Sequence, residues 1–94
     1  MSKPPKEIDG AKVLEWAWSG NNPFGVVHDR SGGVASEIYG LAICSYDNGN
    51  SVYRFSCDSK WETEQDSVYS TIEEAKRNLP DQYREVEPDW LKYG

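Results

Sequence analysis

The chain has 94 residues, a net charge of −6 and two cysteines. That length allows one domain with one hydrophobic core, and four Trp, six Tyr and two Phe suit a small core closed by a few large rings. The charge argues against a nucleic-acid binder, which needs a basic surface, and no apolar run approaches the roughly 18 residues of a membrane span.

Residues 1–10, "MSKPPKEIDG", lack apolar periodicity and carry a Pro pair, so they read as a mobile tail ahead of a single α+β domain over 11–94. No charged-then-apolar leader opens the chain, and the expected location is cytoplasmic. "KVLEWAWS" alternates, with Leu14, Trp16 and Trp18 on one face and Val13, Glu15 and Ala17 on the other, which is a first strand. "GNNPFG" breaks it, because Pro23 cannot donate to a ladder. Phe24 to His28 form a short second strand, ended by "DRSGG". Val34 to Tyr46 read as one long third strand with a bulge or bend at Gly40.

The dipeptide Asn48-Gly49 favours a two-residue type I′ turn, followed by a fourth strand from Ser51 to Cys57. That turn makes paired positions sum to 97, so Cys44 faces Tyr53 and Cys57 faces Gly40. The two sulfurs then lie four residues apart along the ladder. At about 3.4 Å per residue this exceeds the roughly 4.4–6.8 Å between Cα atoms that a disulfide spans, and the thiols are expected free and buried.

One helix follows in "STIEEAKRNLP". Ser70 and Glu73 have the spacing of a capping box, Ile72, Ala75 and Leu79 form an apolar stripe, and Pro80 stops the helix. The hairpin before it is partly apolar on both faces, so this helix is expected to cover the second face. Trp90 and Tyr93 then anchor a short C-terminal strand. The resulting fold class is α+β: an antiparallel sheet of four to five strands, a meander of hairpins, followed by one helix packed on one face and a short C-terminal strand.

From Asp58 to Asp89 stand ten acidic residues against four basic ones, which accounts for the whole net charge. In an extended Trp61 to Val68 the period of two puts Glu62, Glu64 and Asp66 on one face and Trp61, Thr63 and Gln65 on the other. Such a ladder serves either as a docking surface for a cationic partner or as a solvated edge that discourages aggregation. Trp61 has polar neighbours and is expected to be part-exposed, as an interface anchor would be. Tyr69 and Tyr83 are further candidate anchors. The candidate partner-binding set is Asp58, Trp61, Glu62, Glu64, Asp66, Tyr69, Tyr83 and Glu85.

Catalytic signals are weak. His28 and Asp29 are sequence neighbours, which puts their side chains on opposite faces of a strand. Cys44 and Cys57 have Tyr, Phe and Ala around them rather than a base. The carboxylates sit among Lys, Thr, Gln and Ser, a wet setting that does not split their pKa values. "DNGN" lacks the spacing of a calcium loop, and no Cys-x-x-Cys, phosphate cradle or nucleophile elbow is present. No enzyme activity, cofactor or metal is expected.

The segment "VYRFSCDSKWETEQDSVYSTIEEAK", Val52 to Lys76, resembles a signature in small bacterial proteins, some of which are similar to immunity proteins that neutralise toxins. It covers about a quarter of the chain and carries no catalytic motif. The resemblance implies a small, acidic, cytosolic protein that covers a toxin's active site. The expected function is therefore a non-enzymatic protein-binding module, an inhibitor or immunity-type protein for a basic partner. The alternative is a small-ligand binder, such as a sugar-binding domain, whose pocket is rimmed by Trp16, Trp18 and Trp61.

Overall fold

The structure is a computed structural model that describes residues 3–28, 31–46, 49–80, 83 and 86–93. Its elements are β1 (Glu7–Ile8), β2 (Ala11–Trp18), β3 (Gly25–His28), β4 (Val34–Ile38), β5 (Gly40–Ser45), β6 (Val52–Cys57), β7 (Thr63–Tyr69), α1 (Ile72–Arg77) and β8 (Leu91–Lys92). The main sheet is antiparallel in the order β1-β2-β5-β6-β7, and β8 also pairs with β2. The α+β order holds in outline: a mostly antiparallel sheet, one short helix and a C-terminal strand.

The sheet is not a simple meander. The expected third strand divides at Tyr39, and its first half, β4, leaves the main sheet to pair with β3 in a separate hairpin. Tyr39 stays tied to the main sheet through its amide, which donates to the Cys57 carbonyl at 2.9 Å. Beyond the break, β5 pairs with β2, so the β3–β4 hairpin is an excursion between two neighbouring strands. The β5–β6 register is the expected one, with Cys44 opposite Tyr53 and Gly40 opposite Cys57. The expected type I′ turn centred on Asn48-Gly49 is not the one formed: Asn48 lies outside the described residues, and Gly49 does not take the positive φ that turn requires. The Gly49 amide donates to the Tyr46 carbonyl at 3.0 Å, which closes the turn one residue earlier while keeping the register. Both thiols are free and buried, as the register requires.

The segment expected as a mobile tail is part of the sheet. Ile8 pairs with Ala11 and is buried, and the Tyr93 hydroxyl donates to the Pro4 carbonyl at 3.1 Å. Ile8 supplies the apolar anchor, and Gly10, at φ +82°, makes the reversal into β2. A bulge at Leu14 also corrects the expected facing of β2. Val13 sits opposite Cys44 and Trp16 opposite Ala42, so Val13, Trp16 and Trp18 share one face while Glu15 and Ala17 share the other.

Two cores result. On the aromatic face Ile8, Ala11, Val13, Trp16, Phe55 and Trp61 pack with the two cysteines. On the opposite, helix face Ala17 and Leu41 pack against Phe24 and Ile38 of the hairpin segment and against Tyr83. Burying one such Phe, Ile or Leu side chain contributes about 1.5–3 kcal/mol, which is why the excursion folds back onto the sheet.

Helix α1 begins one residue later than the capping-box spacing suggests. Thr71 is the N-cap, and its Oγ1 accepts from the Glu74 amide at 3.1 Å. The helix ends at Arg77, short of Pro80, with the Asn78 amide donating to the Glu74 carbonyl. It lies over the helix face through two charged side chains. Arg54 of β6 is 3 % exposed, and its guanidinium donates to the Ala75 and Asn78 carbonyls at 2.8 and 3.0 Å. Lys76 pairs with the buried Glu15 of β2 at 2.7 Å. A cation at the helix C-terminus meets the negative end of the helix dipole and two carbonyls that the helix leaves unpaired.

Candidate functional site

The acidic stretch runs through the β6–β7 hairpin. Its turn is built by Asp58, whose Oδ1 accepts from the amides of Lys60 and Glu62 at 2.8 and 3.0 Å. The Asp58 amide donates to the Glu62 carbonyl, and the Trp61 amide donates to the Asp58 carbonyl at 3.1 Å. Asp58 therefore holds a loop closed, as Asp side chains do in turns.

That loop forces Trp61 into the left-handed region at φ 63° and swings its indole back over the sheet. Trp61 is 8 % exposed, which overturns its reading as a part-exposed anchor. Its ring lies directly on Gly40: a Cβ at that position would sit 2.5 Å from a ring carbon. Trp16 meets Trp61 edge-on at 6.2 Å between centroids, and Trp18 is tilted against it at 5.7 Å. Polar neighbours in sequence misled here, because the turn reverses the direction of the side chain. Trp16 and Trp61 are core residues, so the expected sugar platform is filled by its own rings.

Two other candidates are likewise structural. Tyr83 is 2 % exposed and its hydroxyl donates to Gln65 Oε1 at 3.3 Å, so it belongs to the core of the helix face rather than to a docking surface. Burial raises its phenol above the usual range. Tyr69 is half-buried, donates its hydroxyl to the Asn78 carbonyl and carries the Arg54 guanidinium over its ring at 5.0 Å. Glu85 lies outside the described residues.

Glu62, Glu64 and Asp66 are exposed, yet they do not form the expected single ladder. Ser56 pairs with Gln65 and Cys57 with Thr63, which makes Glu64 the extra residue of a β-bulge. Asp66 sits opposite Phe55 and Val68 opposite Tyr53, so these two side chains share the aromatic face with Thr63. Val68 is 57 % exposed, well above Tyr46 at 39 %. The sequence reading missed Val68. Its signal was available: the run "TEQDS" has no second apolar residue to bury, which marks an edge strand whose lone Val stays in water.

The chemistry open to other residues is limited. Cys44 and Cys57 are both pushed up to about 12 by burial, so neither is a thiolate nucleophile near neutrality. His28 is exposed at the end of β3. Among the described residues no group of three His, Cys, Asp or Glu is placed to hold a metal ion, and no helix is long and apolar enough to cross a membrane. A cleft of about 520 Å³ lies between the end of α1 and Trp90, bordered by Lys76, Leu79 and Val86. A second, of about 410 Å³, is bordered by Trp18, Asn21, Asp89 and Leu91.

At β7, exposed carboxylates and an exposed valine stand together on a strand that ends the sheet. In comparison with known proteins, the chain matches no family model, no curated protein and no solved structure.

Proposed function

We propose that this chain is a non-enzymatic protein-binding module, an inhibitor of the immunity type, which docks a basic partner along β7. The observation that supports the reading is the outermost strand itself, where Glu64 and Asp66 are exposed beside Val68. Carboxylates in water cost little to hold there and give a field that steers a cationic surface. Val68 adds the apolar contact that a purely electrostatic encounter lacks, and takes the anchoring role first assigned to Trp61 and Tyr83. The location of such a module is cytoplasmic in this reading, where an inhibitor meets its target during synthesis.

The test is retention of a basic protein from cell lysate by the wild-type chain and by the double variant Glu64→Lys, Asp66→Lys. The same pair is then followed by association kinetics at two salt concentrations. Raising salt from about 0.1 M to about 1 M shortens the Debye length from about 10 Å to about 3 Å, and the on-rate for the wild type should fall at least about tenfold. An on-rate equal in wild type and variant, and flat with salt, removes β7 as the docking surface.

A further inference from the structure

Resting on that reading of β7 as a docking surface, we infer that the partner is a cationic extended segment that joins the sheet as a new antiparallel strand beside β7. The argument starts from the direction of the backbone groups. Tyr39 donates to the Cys57 carbonyl, so Cys57 turns its backbone toward β5. In an antiparallel ladder each residue directs both its amide and its carbonyl to one neighbour, and the direction alternates along the strand. Ser56 and Arg54 therefore turn toward β7, where they meet Gln65 and Ser67. The Asp58 amide, which donates to the Glu62 carbonyl, keeps the same phase.

Gln65 and Ser67 are thus the β7 residues engaged with β6. Asp66 and Val68 direct their amides and carbonyls away from the sheet, and among the described residues no strand lies on that side. The same two residues carry the exposed carboxylate and the exposed apolar side chain, both on the aromatic face. Main-chain groups and side chains at this edge consequently present one combined template: four hydrogen-bonding groups, a negative charge and an apolar contact.

The occupant follows from complementarity. In an added antiparallel strand, residues opposite one another share a face. The partner then places an apolar residue opposite Val68 and, two positions later, a Lys or Arg opposite Asp66, with Glu64 adding attraction further on. A second copy of this chain fits badly, because each copy brings a net charge of −6 and the same acidic strand. Strand addition is a general mode in which main-chain bonds give affinity and alternate side chains give selectivity.

The test uses the full chain labelled for amide exchange and a capped synthetic peptide of alternating valine, threonine and lysine. A control peptide has equal charge and length, with proline wherever an amide would face β7. In the free chain the Asp66 and Val68 amides should exchange fast and those of Gln65 and Ser67 slowly. With the first peptide at ten times its Kd, exchange at Asp66 and Val68 should slow about tenfold, and the proline control should leave both unchanged. Two peptides that bind equally well, with no new protection, overturn strand addition while leaving charge-driven docking intact. Failure of both peptides to bind at low salt overturns the docking reading together with the inference. Protection that grows with protein concentration alone identifies a second copy as the occupant and overturns the cationic partner.

Discussion

Gly40→Ala isolates the contact that turns Trp61 from a surface anchor into a core residue. Gly40 is a strand residue without a positive φ, so an alanine meets no backbone penalty there. The obstacle is the Trp61 ring, whose three nearest carbons would lie 2.5, 2.7 and 2.7 Å from the new Cβ. Ordinary contact begins near 3.4 Å, so the indole has to retreat by about 0.9 Å. It has little room, being 8 % exposed and held by Trp16 and Trp18. Overpacking of this kind costs about 1–3 kcal/mol, while replacing a glycine stiffens the unfolded chain and gives back about 0.4–1 kcal/mol. The expected net loss lies between about 0 and about 2.6 kcal/mol, centred on about 1.3 kcal/mol, read as a lower urea midpoint at unchanged m-value. A double-mutant cycle with Trp61→Leu separates the causes, because alanine at 40 should become neutral or stabilising once the indole is gone. A loss that persists undiminished with Leu at 61 refutes the contact as its origin.

Arg54→Met should cost about 2–4 kcal/mol, since the carbonyls of Ala75 and Asn78 lose their donor, offset in part by no longer burying a charge whose Nε has no partner among the described residues; helix amides that exchange as slowly as in the wild type would contradict it. Cys44 and Cys57 rise from 9.0 to about 12 on folding, so their contribution to stability is complete below about pH 9 and is lost as pH climbs from there toward 12. Each thiol removes up to about 1.4 kcal/mol per pH unit in that window, and urea midpoints should fall less steeply when both are replaced by alanine. Asp58→Ala should cost about 1–3 kcal/mol through two amides left without an acceptor, and Asp58→Asn should recover most of it. Association with a basic partner should change far less at Asp58 than at Asp66, and equal effects would return Asp58 to the docking surface.

What could be read from the sequence was local. The β5–β6 register, and with it the free thiols, is the one the Asn48-Gly49 pair implied, although the turn closes from Tyr46 to Gly49 and Gly49 lacks the positive φ of a type I′ turn. Helix α1 was visible in its apolar spacing, although Thr71 caps it rather than Ser70. Long-range facts were hidden. A strand-like stretch from Val34 to Tyr46 gives no local sign that its first half leaves the sheet at Tyr39 to bury Ile38. Bulges at Leu14 and Glu64 shift the facing of everything on one side of them, so a strict period of two misassigned Val13, Glu64 and Asp66. Trp61 shows the same limit in another form. Its burial depends on a left-handed residue in the 58–62 turn and on a glycine 21 positions earlier. Of the candidate site, Glu62, Glu64 and Asp66 were legible as exposed acids, and Val68 was overlooked.

The two edges of the main sheet differ in how they are covered, and the proposed docking at β7 starts from that difference. The outer side of β2 is closed by the chain itself, with β1 along its first half and β8 along its second. These strands come from opposite ends of the chain, and the Tyr93 hydroxyl bonded to Pro4 ties them together. No such cover reaches β7 among the described residues. An open edge is a hazard in any sheet protein, because its backbone groups pair with whatever strand arrives. Acidic residues remove most of that hazard: an acidic chain, including another copy of this one, is repelled before its backbone can engage. The same charges leave the edge accessible to one class of partner, a positively charged one. In the proposed reading, protection against self-association and selectivity for a cation are therefore one property of Glu64 and Asp66. Val68 would distinguish the two uses, since an edge built only for protection has no reason to hold a valine more than half exposed to water two residues beyond Asp66.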